Sequence, residues 1–339
     1  MGNIFSMIFR YFNAWLLMLF ALAASIAVEK LYRLLSPIVV MKVMGRTVPS
    51  ARARVRSFLH LEVGLPESAA INIAIYGPAA ALAALMTVCA SLPYCTFIPI
   101  IDNGSDMLQL TQFMMLSEVF ALISLYALGT AESSETARVE MRSMLRLIIP
   151  FVACCASISS YLTTNGLDTN PYSLNSFSMS AQFIAMSPWG IAGCLLFVFI
   201  ILSQVPNCGV SSGNALLQDS EMPDYSGAPR AMMQIWSIFR GFIIISIVVY
   251  MLFPADVISA VNDGLGISWR GQSLNYFGFW VAVAGARLVL TPACQFFVSG
   301  IEGHLPRPMR GFVVPVLTIF AMILLWVECM LLSQEAASY

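Results

Sequence analysis

Charge is what this sequence has least of. Of its 339 residues only 10% are Asp, Glu, Lys or Arg while 59% are hydrophobic, whereas an ordinary soluble domain carries about a quarter charged residues. That balance excludes a water-soluble globular domain and points to an integral membrane protein. The net charge of −1 names no acidic or basic partner, and nothing in it points to nucleic acid. Histidine is nearly missing, at His60 and His304 alone, and none of the eight cysteines forms a C-x-x-C pair. Structural zinc and directly ligated iron–sulfur clusters need thiolates or imidazoles at short spacing, so no metal and no directly bound cofactor is expected. The thiols read as small apolar residues. There is no Gly-rich phosphate loop, no zinc-protease signature and no nucleophile, histidine and acid in sequence, so no catalytic residue is assigned. Strand-like alternation is absent too, which leaves helices.

Long apolar runs are abundant. A helix needs about 20 mainly apolar residues to cross a bilayer, and about eight runs qualify, at roughly 9–32, 70–98, 108–129, 143–163, 183–203, 234–256, 275–298 and 311–333. The first has no small-residue cleavage site behind it and runs on into Glu29-Lys30-Leu31-Tyr32-Arg33, so it is expected to stay as a span. The expected fold is all-α: one polytopic transmembrane domain over residues 1–339, with no convincing internal repeat.

Lysine and arginine favour the cytoplasmic side of a membrane. They crowd the connection after span one (Lys42, Arg46, Arg52, Arg56), after span three (Arg138, Arg142, Arg146), after span five (Arg230 with Arg240) and after span seven (Arg307, Arg310), while the alternate loops hold almost none. Both termini therefore face outward from the inner membrane. Residues 36–62 set Arg52 and Arg56 against Val55, Phe58 and Leu59, the pattern of an amphipathic helix lying on the inner surface. Anchoring to anionic lipid and docking a partner are equal readings of it. Arg138, Arg142 and Arg146 form one stripe at i, i+4, i+8, either a docking stripe or a topology signal.

Ionisable residues inside a span are functional candidates, because a charge at the bilayer centre costs several kcal/mol, about 2.5–3.5 on insertion scales. Glu118 lies near the middle of span three and Arg287 halfway along span seven. They mark either a polar axis that carries or senses protons, or charges that pair with each other or with backbone carbonyls and lock helices together. Glu328, toward the outer end of span eight, is expected to be hydrated. The loop over 204–233 carries Asp224-Tyr225-Ser226-Gly227 and Arg230. Mixed charge alone reads as a solvated loop, yet tyrosine suits a contact surface and glycine permits close backbone approach.

Eight spans with outward termini, a long basic connection after span one, an Arg-rich loop after span three and this acid-Tyr-Ser-Gly loop before span six together resemble a known family. It is the membrane anchor subunit shared by respiratory complex I, where it is the H-type subunit, and the energy-converting membrane-bound hydrogenases including formate hydrogenlyase. The hydrogenase branch, hydrogenase-4 component C included, is the more similar. There an E-Y-S-G motif precedes the sixth span, and Asp224-Tyr225-Ser226-Gly227 stands in its place. Gly45-Arg46-Thr47-Val48-Pro49 is similar to the family's R-x-G-P start of the surface helix, and Arg287 to a basic residue of the seventh span. The resemblance implies a docking surface on the loops after spans one, three and five, with soluble redox subunits as partners. Iron–sulfur clusters and a nickel–iron centre would belong to those partners, and antiporter-like membrane subunits would move ions. It also shows departures. The family's acid-rich run before the Tyr-Ser-Gly motif is replaced by Ser203 to Leu217, which keeps Pro206 and no acid, and Ile148-Ile149-Pro150 occupies the place of a glutamate early in span four. A proton relay needs titratable groups or water at hydrogen-bond spacing, so a degenerate proton path is expected and quinone binding is not.

The sequence is thus read as a membrane anchor and coupling subunit of a complex I-like or group 4 hydrogenase-like assembly. Two alternatives stay open: a stand-alone secondary transporter, and a scaffold of a complex that has lost its redox chemistry.

Overall fold

The computed structural model describes residues 16, 18–32, 62–92, 106–164, 172, 187–205, 226–252, 271–306 and 311–337. Every regular element among them is helical. In chain order these are α1 (18–32), α2 (Ile71–Ser91), α3 (Met107–Tyr126), α4 (Ala131–Thr164), α5 (Pro188–Gln204), α6 (Ala228–Leu252), α7 (Gly271–Gly285), a π turn (Ala286–Leu290), α8 (Thr291–His304) and α9 (Val313–Ala337). Helix is what lipid demands of such segments, since it satisfies each backbone N–H and C=O within the segment. Six helical stretches among the described residues are long and apolar enough to span: Ile71–Ser91, Met107–Tyr126, Ala131–Thr163, Ala228–Met251, Gly278–His304 and Val313–Leu331. The 17-residue α5 is a shorter apolar helix, and α1 falls where the first span is expected. The chain is an all-α polytopic membrane protein. The surface helix expected over 36–62 lies, save for Glu62, outside the described residues.

The chain sorts into two compact units: Met1–Leu92, Gln112–Met144 and Pro206–Ile243 make one, and Pro93–Thr111, Leu145–Val205 and Ile244–Tyr339 the other. In the first unit α2 and α3 pack through small residues. A Cβ on Gly77 would come 2.7 Å from the Ser124 Cβ, and the Ser117 hydroxyl donates to the Ala81 carbonyl at 2.7 Å. Close backbone approach of this kind is how helices associate where no hydrophobic drive separates protein from lipid. In α1 the buried positions Met18, Ala21, Ser25, Glu29 and Tyr32 recur every three or four residues, while Leu19, Phe20 and Leu31 are exposed. One stripe meets protein and the rest suits lipid.

In the second unit α5 lies against α9 through Gly190 and Gly193. An added Cβ there would meet the Glu328 Cδ at 3.0 Å or the Leu325 Cγ at 2.9 Å. Ser187, just ahead of α5, donates from both its N–H and its hydroxyl to the Glu328 carboxylate. Glu328 is buried at 2% exposure, which corrects the expectation of a hydrated side chain. The reason is local: the first N–H groups of a helix have no partner within it, and a carboxylate is the favoured acceptor there. The α7 to α8 rod is interrupted at Pro292. Proline has no N–H to offer the carbonyl four residues back and its ring crowds that carbonyl. Here that carbonyl belongs to Leu288, inside the π turn, whose wider ring relieves the crowding. The Thr291 hydroxyl bonds back to the Ala286 carbonyl at 3.0 Å across it.

The helix most deeply enclosed is α6, 89% of whose apolar window is buried against 33% for α9. A charge in α6 therefore meets protein, and the candidate site is found there.

Candidate functional site

Three connections of the first unit are tied together by hydrogen bonds. The Ser226 hydroxyl accepts from the Gly64 N–H at 2.8 Å and donates to the Glu62 carbonyl at 3.0 Å, and the Ser226 N–H reaches the Gly64 carbonyl at 3.3 Å. Gly227 follows with φ +80, and a Cβ there would stand 2.9 Å from the Val63 Cα. Glycine is required twice over, for the left-handed backbone and for the contact. A few residues on, the Ala70 N–H donates to the Ala127 carbonyl at 2.8 Å and the Ser68 hydroxyl to the Leu128 carbonyl at 3.1 Å. Gly129, at φ +70, lies against Ser68. The turn then starts α4 with a reciprocal cap. The Ser133 N–H donates to Thr130 Oγ1 at 3.1 Å and the Thr130 N–H to Ser133 Oγ at 3.3 Å, the capping-box arrangement with serine in the third position. The start of α2, the turn between α3 and α4 and the start of α6 thus form one locked face. They belong to the same three connections that the Lys and Arg pattern assigns to one side of the membrane.

Beneath this face lies a buried ion cluster. The guanidinium of Arg240 in α6 is held by two carboxylates, its Nε by Glu118 Oε1 of α3 and its Nη1 by Glu140 Oε1 of α4. All three residues are 3% exposed or less. At 1.5 Å per residue, Glu118 sits about 12 Å from the Tyr126 end of α3, Glu140 about 14 Å from the Ala131 end of α4 and Arg240 about 18 Å from the Ala228 end of α6. The Trp236 ring, one turn before Arg240, lies 5.4 Å from the guanidinium, a cation–π contact that is worth about 2 kcal/mol when desolvated. The Trp236 indole N–H donates to the Ser117 hydroxyl at 2.7 Å, and Ser117 passes the bond on to Ala81. Four helices, α2, α3, α4 and α6, are joined at one level. Two carboxylates against one guanidinium leave a formal charge of −1 when both are ionised. Removing Arg240 would leave two buried carboxylates without a cation, at a cost of about 3–5 kcal/mol, whereas removing either carboxylate leaves a one-to-one ion pair.

Glu118 has Arg240 as its cation, whereas Arg287 is buried at the π turn of the second unit. Arg240, grouped by the positive-inside pattern with the loop charges, is corrected to a fully buried residue twelve positions into α6. Its charge is held there by two acids from other helices and an indole face. Arg138, Arg142 and Arg146 are exposed along one stripe of α4, and Arg138 reaches Glu135 at 3.6 Å. Glu140, written among them, lies two residues from Arg138 and hence on the opposite face, at 2% exposure. Ser226 and Gly227 are engaged with 62–64, and Arg230 is half-buried in the first turn of α6 and also engaged. Asp224, Tyr225, Arg46, Arg52 and Arg56 lie outside the described residues. Sequence reasoning missed Glu140, Trp236 and Ser117. A helical wheel turns Glu140 away from the arginines, and Q-I-W-S-I-F-R over 234–240 places polar residues at three-residue steps inside an apolar run. Among the described residues no group of three or more His, Cys, Asp or Glu is arranged to hold a metal.

No family model matches the chain and no curated protein does. Solved structures do match. A chain of the membrane-bound sulfane sulfur reductase (MBS), an archaeal respiratory membrane complex, superposes with a TM-score of 0.62 at 13% identity, over 95% of this chain and 99% of that one. At that identity the likeness is one of fold, and it extends over nearly the full length of both chains.

Proposed function

We propose that this chain is a membrane anchor and coupling subunit of a multisubunit respiratory complex, of the complex I-like or group 4 hydrogenase-like kind. In this reading it sits in the cytoplasmic membrane with both termini outward. It seats a soluble redox module on the locked face and joins that module to antiporter-like, ion-translocating membrane subunits. The observation that carries the proposal is the joining of the connections after spans one, three and five into one hydrogen-bonded surface, with the exposed arginines of α4 leading away from it. A docking platform must be rigid to hold a partner at fixed distance, and three connections bonded to one another are more rigid than three separate loops. The full-length likeness in fold to a chain of a respiratory membrane complex supports the same reading.

Redox centres, iron–sulfur clusters and a nickel–iron centre among them, would be held by the soluble partners; quinone is not assigned to this chain. The run from Ser203 to Leu217 contains no acid, so ion movement is given to neighbouring subunits. The Glu118, Glu140 and Arg240 cluster then acts as a lock between helices rather than as a relay. Affinity purification of the tagged chain in mild detergent tests the assignment. Co-purification with iron-bearing soluble chains and antiporter-like membrane chains is expected, while a solitary chain that transports an ion or solute when reconstituted would overturn it.

A further inference from the structure

We propose that a file of buried water molecules runs along α6 from its Gly227 end, past Gln234 and Ser237, to Arg240 and Glu118, and ends there. The inference stands on polar atoms that the protein itself leaves without partners. Both amide atoms of Gln234, the Ser237 hydroxyl, Arg240 Nη2 and Glu118 Oε2 are fully buried and make no hydrogen bond among the described residues. Three of these residues, Gln234, Ser237 and Arg240, follow one another at three-residue steps on α6, about 4.5 Å of rise each. Native structures rarely bury such atoms unpaired, and ordered water is the usual partner where protein supplies none.

The chemistry of the set selects water over an ion. It contains donors (Arg240 Nη2, Gln234 Nε2, the Ser237 O–H) and acceptors (Glu118 Oε2, Gln234 Oε1, the Ser237 oxygen) in balance. A metal cation would use only the acceptors and face the guanidinium. An anion would use only the donors and face Glu118 and Glu140. Water donates and accepts, and serves every member. The direction follows from burial: Ser226, Ala228 and Arg230 are partly exposed, Gln234 and Ser237 are not, and beyond Arg240 the helix reads Gly241-Phe242-Ile243-Ile244-Ile245, buried without a polar side chain. The file is open at the locked face and sealed at its inner end. It hydrates the ion cluster from one side without giving ions a route across. The inference does not depend on the docking role.

Radiolytic hydroxyl-radical footprinting of the wild-type protein in its native membranes tests it, since bound water yields radicals in place. Met233 and Met251 are both buried, at 1% and 5% exposure, but only Met233 adjoins the proposed file. Met233 is expected to oxidise at least about tenfold faster than Met251, the factor that an opening cost of only ~1.4 kcal/mol would remove. Equal protection of the two overturns the proposal, and fast oxidation of Phe242, two residues past Arg240 and 6% exposed, overturns its sealed end. Ser237→Ala, a small change that removes one water partner, is expected to slow oxidation of Met233 and Trp236. An unchanged footprint there would take Ser237 out of the file.

Discussion

Among the described residues, two buried carboxylate sites, one in each unit, are satisfied by opposite means. In the first unit Glu118 and Glu140 meet a cation, Arg240, supported by the Trp236 ring. In the second unit Glu328 is met by an N–H and a hydroxyl from Ser187 at the start of α5. The first site depends on its one cation, which both carboxylates share. The second is a helix cap supplied from 141 residues away, made possible by Gly190, which leaves room for the carboxylate. At these two sites buried charge either binds three helices at one level or finishes the end of a single helix.

The largest expected effect is from Arg240→Met, which leaves the buried carboxylates of α3 and α4 without a cation. A loss of about 3–5 kcal/mol or more is a large part of the stability of a typical domain, and size-exclusion chromatography of the solubilised protein should show no folded peak. The comparison is sharpened by Glu118→Met, Glu140→Met and Arg240→Met together, which remove all charge. Recovery of the folded peak is expected, and failure to recover would mean that the cluster does more than balance itself. Next comes Glu328→Ala, which strands both Ser187 donors at about 1–3 kcal/mol for an unpaired buried group, with Glu328→Gln milder because an amide oxygen still accepts. If Ala and Gln behave alike in thermal melts, the cap has no energetic weight. Gly193→Leu, whose Cβ meets the Leu325 Cγ at 2.9 Å and the Ala321 carbonyl at 3.2 Å, is expected to cost about 1–3 kcal/mol by overpacking. The smallest effect is from Ser226→Ala, which removes bonds to Glu62 and Gly64 worth about 0.5–1.5 kcal/mol each. It should show as faster amide exchange at Gly64, with little change in the melting temperature.

The spans were legible because length and apolarity alone decide them: the runs expected at 70–98 and 108–129 became Ile71–Ser91 and Met107–Tyr126. The exposed arginine stripe of α4 was legible from its four-residue spacing. The partners of Glu118 were not, because Arg240 and Glu140 reach it from two other helices, and one-dimensional spacing carries no record of which helices touch. Glu140 hid among charges of the exposed face, although its phase on the helix turns it inward. The bonds of Ser226 cross more than 160 residues of sequence; the motif marked the loop as unusual without showing that its serine and glycine hold the chain to itself. Glu328 illustrates the same limit: its place toward the outer end of its span suggested hydration, and nothing in the spacing revealed the waiting N–H of Ser187 that lets it be buried.

The central claim is that the locked face carries a soluble partner. A photoreactive residue placed at Glu67, exposed on that face, and another at Trp189, exposed at the start of α5, test it in intact membranes. The account predicts a cross-link from position 67 to an alkali-extractable, iron-containing subunit and none to that subunit from position 189. No such adduct from either position, with the chain migrating alone, would contradict it.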